Sequence, residues 1–200
     1  NSGDDIEKKR ANANKLLVRF LYNEMKKYDL RISDIQSGGL HNAIPREGWA
    51  VCAVPMQDKE QIRIDANVYA AEIEEEFSIT EKSLNFYVES ADAADVIESE
   101  SSKKIITSLQ AVDNGVFAMC QDIDWLVETS SNLASIHKKG CTIEVATSQR
   151  SNIISARKNM SATVSAAFEL AGADVHTTDG YPGWKLNPNS DLLKLVVEAY

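Results

Sequence analysis

The order of apolar patterns along the chain constrains its fold more than any other feature, because the same order occurs twice. In the first half, Leu16, Leu17, Phe20, Leu21, Met25 and Tyr28 fall at helical spacing and predict a helix from roughly Ala13 to Tyr28. Strand patterns follow from Leu30 to Gln36, broken by Gly38-Gly39, and from Trp49 to Val54, closed by Pro55. Asp58 with Gln61 three residues on makes a capping-box-like start for a second helix. Its inward face would be Ile62, Ala66, Tyr69, Ile73 and Phe77, after which Leu84, Phe86 and Val88 alternate with polar residues as a half-buried strand does.

The second half repeats this order. Ile105, Ile106, Leu109 and Val112 mark a helix that stops at Asn114-Gly115. Val127 to Ile136 and Cys141 to Thr147 predict two strands, joined as a hairpin across His137-Lys138-Lys139-Gly140. A helix from Ser151 to Ala171 turns Ile153, Met160, Val164, Phe168 and Ala171 inward, with Gly172 just past its end. Ala173 to Thr177 predicts a closing strand. Each half thus gives helix, strand, strand, helix, strand; with a short strand feeding the first helix, that is the split βαβ, ferredoxin-like arrangement. The expected fold is α+β: two tandem ferredoxin-like halves with antiparallel sheets and helices packed on one face. Residues 1–90 form the first half, the Asp-, Glu-, Ser- and Ala-rich stretch 91–102 the joint, and 103–178 the second half. The turn formers Thr178-Asp179-Gly180-Tyr181-Pro182-Gly183-Trp184 begin a hinge that leads out of the unit over 179–200.

Composition narrows the partners. With 44% hydrophobic residues over 200 positions the chain can build a core. Lys+Arg 21 against Asp+Glu 30 gives a net charge of -9, which repels phosphate backbones, so nucleic-acid binding is not expected. No apolar run approaches the ~20 residues of a membrane span. Asn1-Ser2-Gly3-Asp4-Asp5 has neither the basic nor the apolar region of a signal peptide. Cys52, Cys120 and Cys141 form no C-x-x-C pair and are expected to be buried, reduced thiols in a cytoplasmic protein. The chain opens without Met. Its end, where Ser190 caps an apolar helix begun by Leu192, Leu193, Leu195, Val196 and Val197, lacks a stop signal; both suggest a segment of a longer polypeptide.

Little in the chain points to chemistry of its own. His41, His137 and His176 are scattered, without a ligand-spaced partner, and His137 is expected in a solvated turn. Glu74-Glu75-Glu76 point in different directions on a helix and make a solvated face. There is no G-x-S-x-G elbow, P-loop or G-x-G-x-x-G, and no feature that activates a thiolate. Two polar residues stand out. Asn42, in Gly38-Gly39-Leu40-His41-Asn42-Ala43-Ile44-Pro45, can donate its amide to an anion or tetrahedral oxygen, or can merely satisfy its own turn. Arg150, where a strand meets a helix in Thr147-Ser148-Gln149-Arg150-Ser151-Asn152, is either a carboxylate receptor or a surface arginine.

Those segments carry a resemblance. Ser2-Gly3-Asp4-Asp5-Ile6, Asn12-Ala13-Asn14-Lys15-Leu16-Leu17 and Gly38 through Arg46 resemble the bacterial aminoacylhistidine (Xaa-His) dipeptidases, dizinc exopeptidases related to glutamate carboxypeptidase. So do Leu126 through Leu133, Ser148-Gln149-Arg150-Ser151, and Tyr181-Pro182-Gly183-Trp184 with Asn187-Pro188. The resemblance covers nearly the whole chain in order. It implies that the chain is the lid domain of a cytoplasmic metallopeptidase, with the returning catalytic domain starting near Asn187 and Tyr181, Pro182, Gly183 and Trp184 as hinge. Arg150 would grip the C-terminal carboxylate of a dipeptide substrate, and Asn42 would hydrogen-bond the same end. Two zinc ions and the general-base Glu would lie in the catalytic domain, none of them held by this segment, which alone would be inactive. The family places an oxyanion-stabilising histidine immediately before the Ser-Gly pair; here that position is Asn1. Two further readings stay open: a free-standing tandem ferredoxin-like module that binds a small ligand or partner, and a homodimerisation platform.

Overall fold

Residues 5–92, 95–123, 125–181, 183, 190, 191, 195, 196 and 199 are described in the computed structural model. Their elements run α1 (Ala13–Glu24), β1 (Arg31–Gly38), β2 (Gly48–Ala53), α2 (Lys59–Glu76), α3 (Ser99–Ala111), β3 (Gly115–Met119), β4 (Val127–Lys139), β5 (Thr142–Ser151) and α4 (Ile154–Glu169). The chain is α+β, with one antiparallel sheet and helices packed on it.

The length of β4 organises the sheet. One edge pairs with β5 from Thr129 to Lys139, while the other is shared: β3 takes Val127 to Ser131 and β1 takes Ser135 to His137. β2 lies outside β1. The β1–β4 pairing therefore joins the two halves in a single sheet.

Cross-strand partners in antiparallel pairs point to the same side, and successive residues to opposite sides. Ile35 opposite Ala50, Ile32 opposite Cys52 and Ile136 opposite Val145 accordingly share one face with Leu133. That face carries the core, filled from the helices by Leu16, Val18, Phe20 and Leu21 of α1, Ile106 and Leu109 of α3, and the predicted stripe Ile62, Ala66, Tyr69 and Ile73 of α2. A smaller cluster of Val112, Met160 and Val164 seats α4, and Phe168 bridges it to the main core. Gln36, Trp49, His137, Ser130 and Arg150 point to the opposite side.

α1 contacts α2, α3 and three strands, so burial reaches round it rather than along one stripe: Asn14, Leu16, Val18 and Phe20 are all buried. Its polar residues complete the sheet. Between the stretches of β4 paired to β3 and to β1, Leu133 has no strand beside it on that edge. Asn114 Oδ1 accepts from Leu133 N–H at 2.9 Å, and the Leu133 carbonyl accepts from Asn12 and Asn14 Nδ2 at 3.1 and 2.9 Å. Asparagine side chains thus stand in for the missing strand, since a buried peptide group left unpaired is costly. Lys15 Nζ donates to the carbonyls of Leu109, Gln110 and Val112, placing a cation at the end of α3 where the helix dipole and free carbonyls favour one.

Several expectations need correction. The helix α1 ends at Glu24, with the chain turning through Met25 to Tyr28. Residues 84–88 form no strand: Leu84 and Phe86 pack against the core from an unpaired segment, the Phe86 ring 5.0 Å from those of Phe20 and Tyr69. Alternation reports a half-buried extended chain but says nothing about a hydrogen-bonding neighbour. Residues 173–177 are likewise unpaired and mostly exposed; α4 stops at Glu169, and the left-handed Gly172 (φ +82°) stands three residues beyond it rather than directly past its end. β3 is an additional strand. The hairpin turns later than expected, so His137 is a strand residue whose Nδ1 lies 2.8 Å from Gln36 Oε1, not a solvated turn residue. Glu74, Glu75 and Glu76 are exposed as expected. Asp191, Leu195, Val196 and Ala199 are helical, while Leu192, Leu193 and Val197 lie outside the described residues.

The thiols are not uniformly buried. Cys141 is exposed in the β4–β5 turn, Cys120 is half-buried and accepts from Asn152 Nδ2 at 3.1 Å, and burial pushes the Cys52 thiol up to about 12. Because the thiolate is the nucleophile, this shift suppresses the reactivity of Cys52 at pH 8. A disulfide-exchange reagent at that pH is expected to modify Cys141 first and Cys52 only on unfolding, as peptide mapping of the labelled chain would show.

Candidate functional site

The two polar residues singled out from the sequence lie in segments that are each bonded to β4. Arg150 is the penultimate residue of β5, opposite Ser130 of β4. Its two neighbours are tied down on the other face: Ser151 Oγ lies 2.9 Å from Thr129 Oγ1, and Gln149 Nε2 donates to Ser131 Oγ at 3.2 Å. The end of the strand is secured as well, with Asn152 N–H donating to the Glu128 carbonyl and Ile153 N–H to Ser151 Oγ. Serine and threonine suit this position because they are small enough for a packed strand and bond one another across it. The backbone that carries Arg150 is therefore held from both sides.

The guanidinium itself is incompletely satisfied. Arg150 Nε is buried and has no hydrogen-bond partner among the described residues. A buried donor left without an acceptor costs roughly 1–3 kcal/mol. A planar carboxylate is the ligand whose geometry matches an arginine's donor fork. The helix α4 begins just beyond, at an N-cap, Ile153, that makes no side-chain capping bond.

The turn that carries Asn42 is anchored to β4 through its neighbour Ala43. Asn132, two residues along from Ser130 and so on its face, donates from Nδ2 to the Ala43 carbonyl at 2.8 Å. The segment 39–47 is thereby held against the strand that pairs with Arg150. Ala43 N–H closes a turn onto the Leu40 carbonyl, and Ala13 N–H of α1 donates to the Pro45 carbonyl. On that turn Asn42 is exposed, and its side chain makes no hydrogen bond among the described residues, so it does not simply satisfy its own backbone. Gly38 lets β1 leave the sheet into this segment: its φ is +71°, and a Cβ there would stand 2.0 Å from the Ala134 carbonyl oxygen.

The residues expected to form a hinge are placed in part. Gly183 packs on the end of β5, where a Cβ would come within 2.6 Å of the Ser151 carbonyl oxygen. Arg157 of α4 donates to the carbonyls of Tyr181 and Asp179, the latter at 2.9 Å. Pro182, Trp184 and Asn1 lie outside the described residues. Arg157 and Asn132 were not singled out from the sequence: the first is one basic residue in an ordinary helix pattern, and the second sits in a serine-rich strand whose burial only the sheet reveals. Among the described residues no three His, Cys, Asp or Glu side chains converge to hold a metal ion.

Comparison with known proteins agrees with this architecture. The chain is 34% identical over 201 residues to the cytosol non-specific dipeptidase of Escherichia coli (strain K12), covering 100% of this chain and 41% of that protein. The crystal structure of the aminoacylhistidine dipeptidase of Vibrio alginolyticus matches with a TM-score of 0.88 at 33% identity, covering 97% of this chain and 40% of that one. The chain thus spans about two fifths of the relatives it matches. No family model matches it.

Proposed function

We propose, from the premise that this chain is homologous to a segment of those dipeptidases, that it is the substrate-clamping lid of a dipeptidase. The observation that carries this is the buried Nε of Arg150, unpartnered at the end of a strand held from both sides. In this proposal Arg150 takes the C-terminal carboxylate of a dipeptide in charge-assisted bonds, and Asn42 bonds the same end of the substrate when the lid closes. Holding a substrate in this way lowers the barrier by restricting its orientation, a contribution of several kcal/mol, below the ~7–11 of ideal alignment.

The chemistry of the clamp also bears on specificity. A guanidinium reads the α-carboxylate common to all dipeptides and ignores the side chain beside it. The substrate class proposed is therefore dipeptides with a free C-terminus, carnosine-like Xaa-His dipeptides among them. Discrimination for histidine would need contacts beyond Arg150 and Asn42.

In this proposal the two zinc ions and the general-base Glu belong to the part of the dipeptidase outside this segment. The E. coli relative is named as a cytosolic protein, and the same compartment is proposed here. Among the described residues no helix is long and apolar enough to cross a membrane.

Sequencing the source gene on both sides of this segment tests the proposal. An H-x-D strand end and a Glu-Glu pair upstream, with a further His downstream, are the expected result. A start codon just before Ser2 with a stop just after Tyr200 would overturn the lid role. So would hydrolysis of carnosine-like dipeptides by the isolated 200-residue chain, which is expected to show none.

A further inference from the structure

Arg157 lies outside the substrate clamp, yet two carbonyls of the outgoing chain converge on it. It projects from the first turns of α4, half-buried, and donates from Nη1 to the Tyr181 carbonyl and from Nη2 to the Asp179 carbonyl. The backbone between those carbonyls accommodates the contact. Gly180 has φ +63°, and a Cβ there would stand 3.0 Å from Arg157 Nη1. A second attachment is independent of the first: Gly183 lies against Ser151 and Asn152, so close that any side chain would meet the Ser151 carbonyl. Ser151 and Asn152 directly follow Arg150.

We infer that Arg157 is a positioning residue, a latch that ties the hinge strap to α4 so that the hinge and the Arg150 clamp move as one body. This rests on the lid role proposed above and goes beyond it, because it assigns how hinge motion reaches the clamp. A cation donating two bonds to carbonyls is directional: it fixes the strap's angle as well as its proximity. Without the latch, lid movement is taken up by slack between Thr177 and Tyr181, and closure no longer delivers Arg150 to a defined position. Misplacement of this kind costs turnover even when every group that touches substrate is intact.

The test uses the full-length dipeptidase that contains this segment. Arg157→Met is expected to lower kcat for a dipeptide about tenfold, with a smaller change in KM. Arg157→Lys, keeping the charge but not the fork, recovers part of the loss. Gly183→Ala, which pries the strap from β5 and leaves Arg157 untouched, should act in the same direction. Small-angle scattering gives a readout that stability alone would not move. The wild-type enzyme should contract on adding a phosphinate dipeptide analogue, whereas Arg157→Met should show a broader distribution of sizes and a weaker contraction. If Arg157→Met and Gly183→Ala both keep wild-type kcat and contraction while Arg150→Ala is impaired, the latch is overturned and the lid stands. Wild-type kinetics in Arg150→Ala would remove the clamp role itself. Should Arg157→Met fail to fold, Gly183→Ala and Arg157→Lys decide the matter by the same criteria.

Discussion

On the clamp role proposed above, replacing Arg150 by alanine in the full-length protein is expected to lower kcat/KM for dipeptides about a hundredfold. Charge-assisted hydrogen bonds contribute about 1.5–3 kcal/mol each, and a hundredfold corresponds to roughly 2.7 kcal/mol in the transition-state balance. The loss should fall on KM where the carboxylate is held equally in ground and transition states, and on kcat to the extent that closure aligns the scissile bond. Arg150→Lys should recover little, because an ammonium cannot supply two parallel donors to one carboxylate. A dipeptide amide provides the sharper comparison. It lacks the carboxylate, so the wild-type enzyme should discriminate against it strongly and Arg150→Ala hardly at all. Folding is expected to be unharmed, since Nε is buried without a partner among the described residues and its removal leaves no acceptor stranded. Unchanged kcat/KM for the free dipeptide, or equal discrimination against the amide in both proteins, would end the assignment of Arg150.

What could be read from the sequence follows from which interactions are local. Periodicity places the helices because a helix satisfies its own backbone: the inward residues Ile62, Ala66, Tyr69 and Ile73 of α2 are buried as their spacing requires. Strands need a neighbour, and no local pattern reports one. Leu84 and Phe86 alternate as a strand would but meet aromatic rings in place of a sheet edge. Residues 115–119 pair with β4 although a glycine start and two register shifts blur their pattern. Arg150 was conspicuous because a cation at a strand-to-helix junction is chemically pointed even without its surroundings. What holds its strand in place, the Thr129–Ser151 and Ser131–Gln149 ties behind it, depends on register between strands about twenty residues apart. Arg157 was illegible for the same reason, since its partners are carbonyls, which every residue has.

Asn12→Ala is expected to cost the folded chain about 3 kcal/mol. Asn12 has two tasks. Its Oδ1 caps α1 by accepting from Lys15 N–H at 3.2 Å, a bond whose loss is typically about 1 kcal/mol. Its Nδ2 faces Asn114 Oδ1 at 2.9 Å, the Leu133 carbonyl at 3.1 Å and Asn132 Oδ1 at 3.3 Å, acceptors gathered at the gap between β1 and β3. Removing the donor strands acceptors in a region closed to water, at roughly 1–3 kcal/mol. The Leu133 carbonyl keeps Asn14, which limits the damage. For a chain of this size the melting temperature should fall by about 6–12 °C. Asn12→Asp separates the two tasks. Aspartate caps a helix as well as asparagine does, so it would be nearly neutral if capping were the whole role. At the sheet gap it replaces the donor with a carboxylate facing three acceptors, and it should therefore destabilise more than Asn12→Ala, increasingly so as pH rises and the carboxylate ionises. Thermal unfolding of both variants across pH decides the point. An aspartate variant as stable as the wild type would mean that the two halves of the sheet are held by β1–β4 pairing alone, and that the asparagines in the gap contribute nothing to joining them.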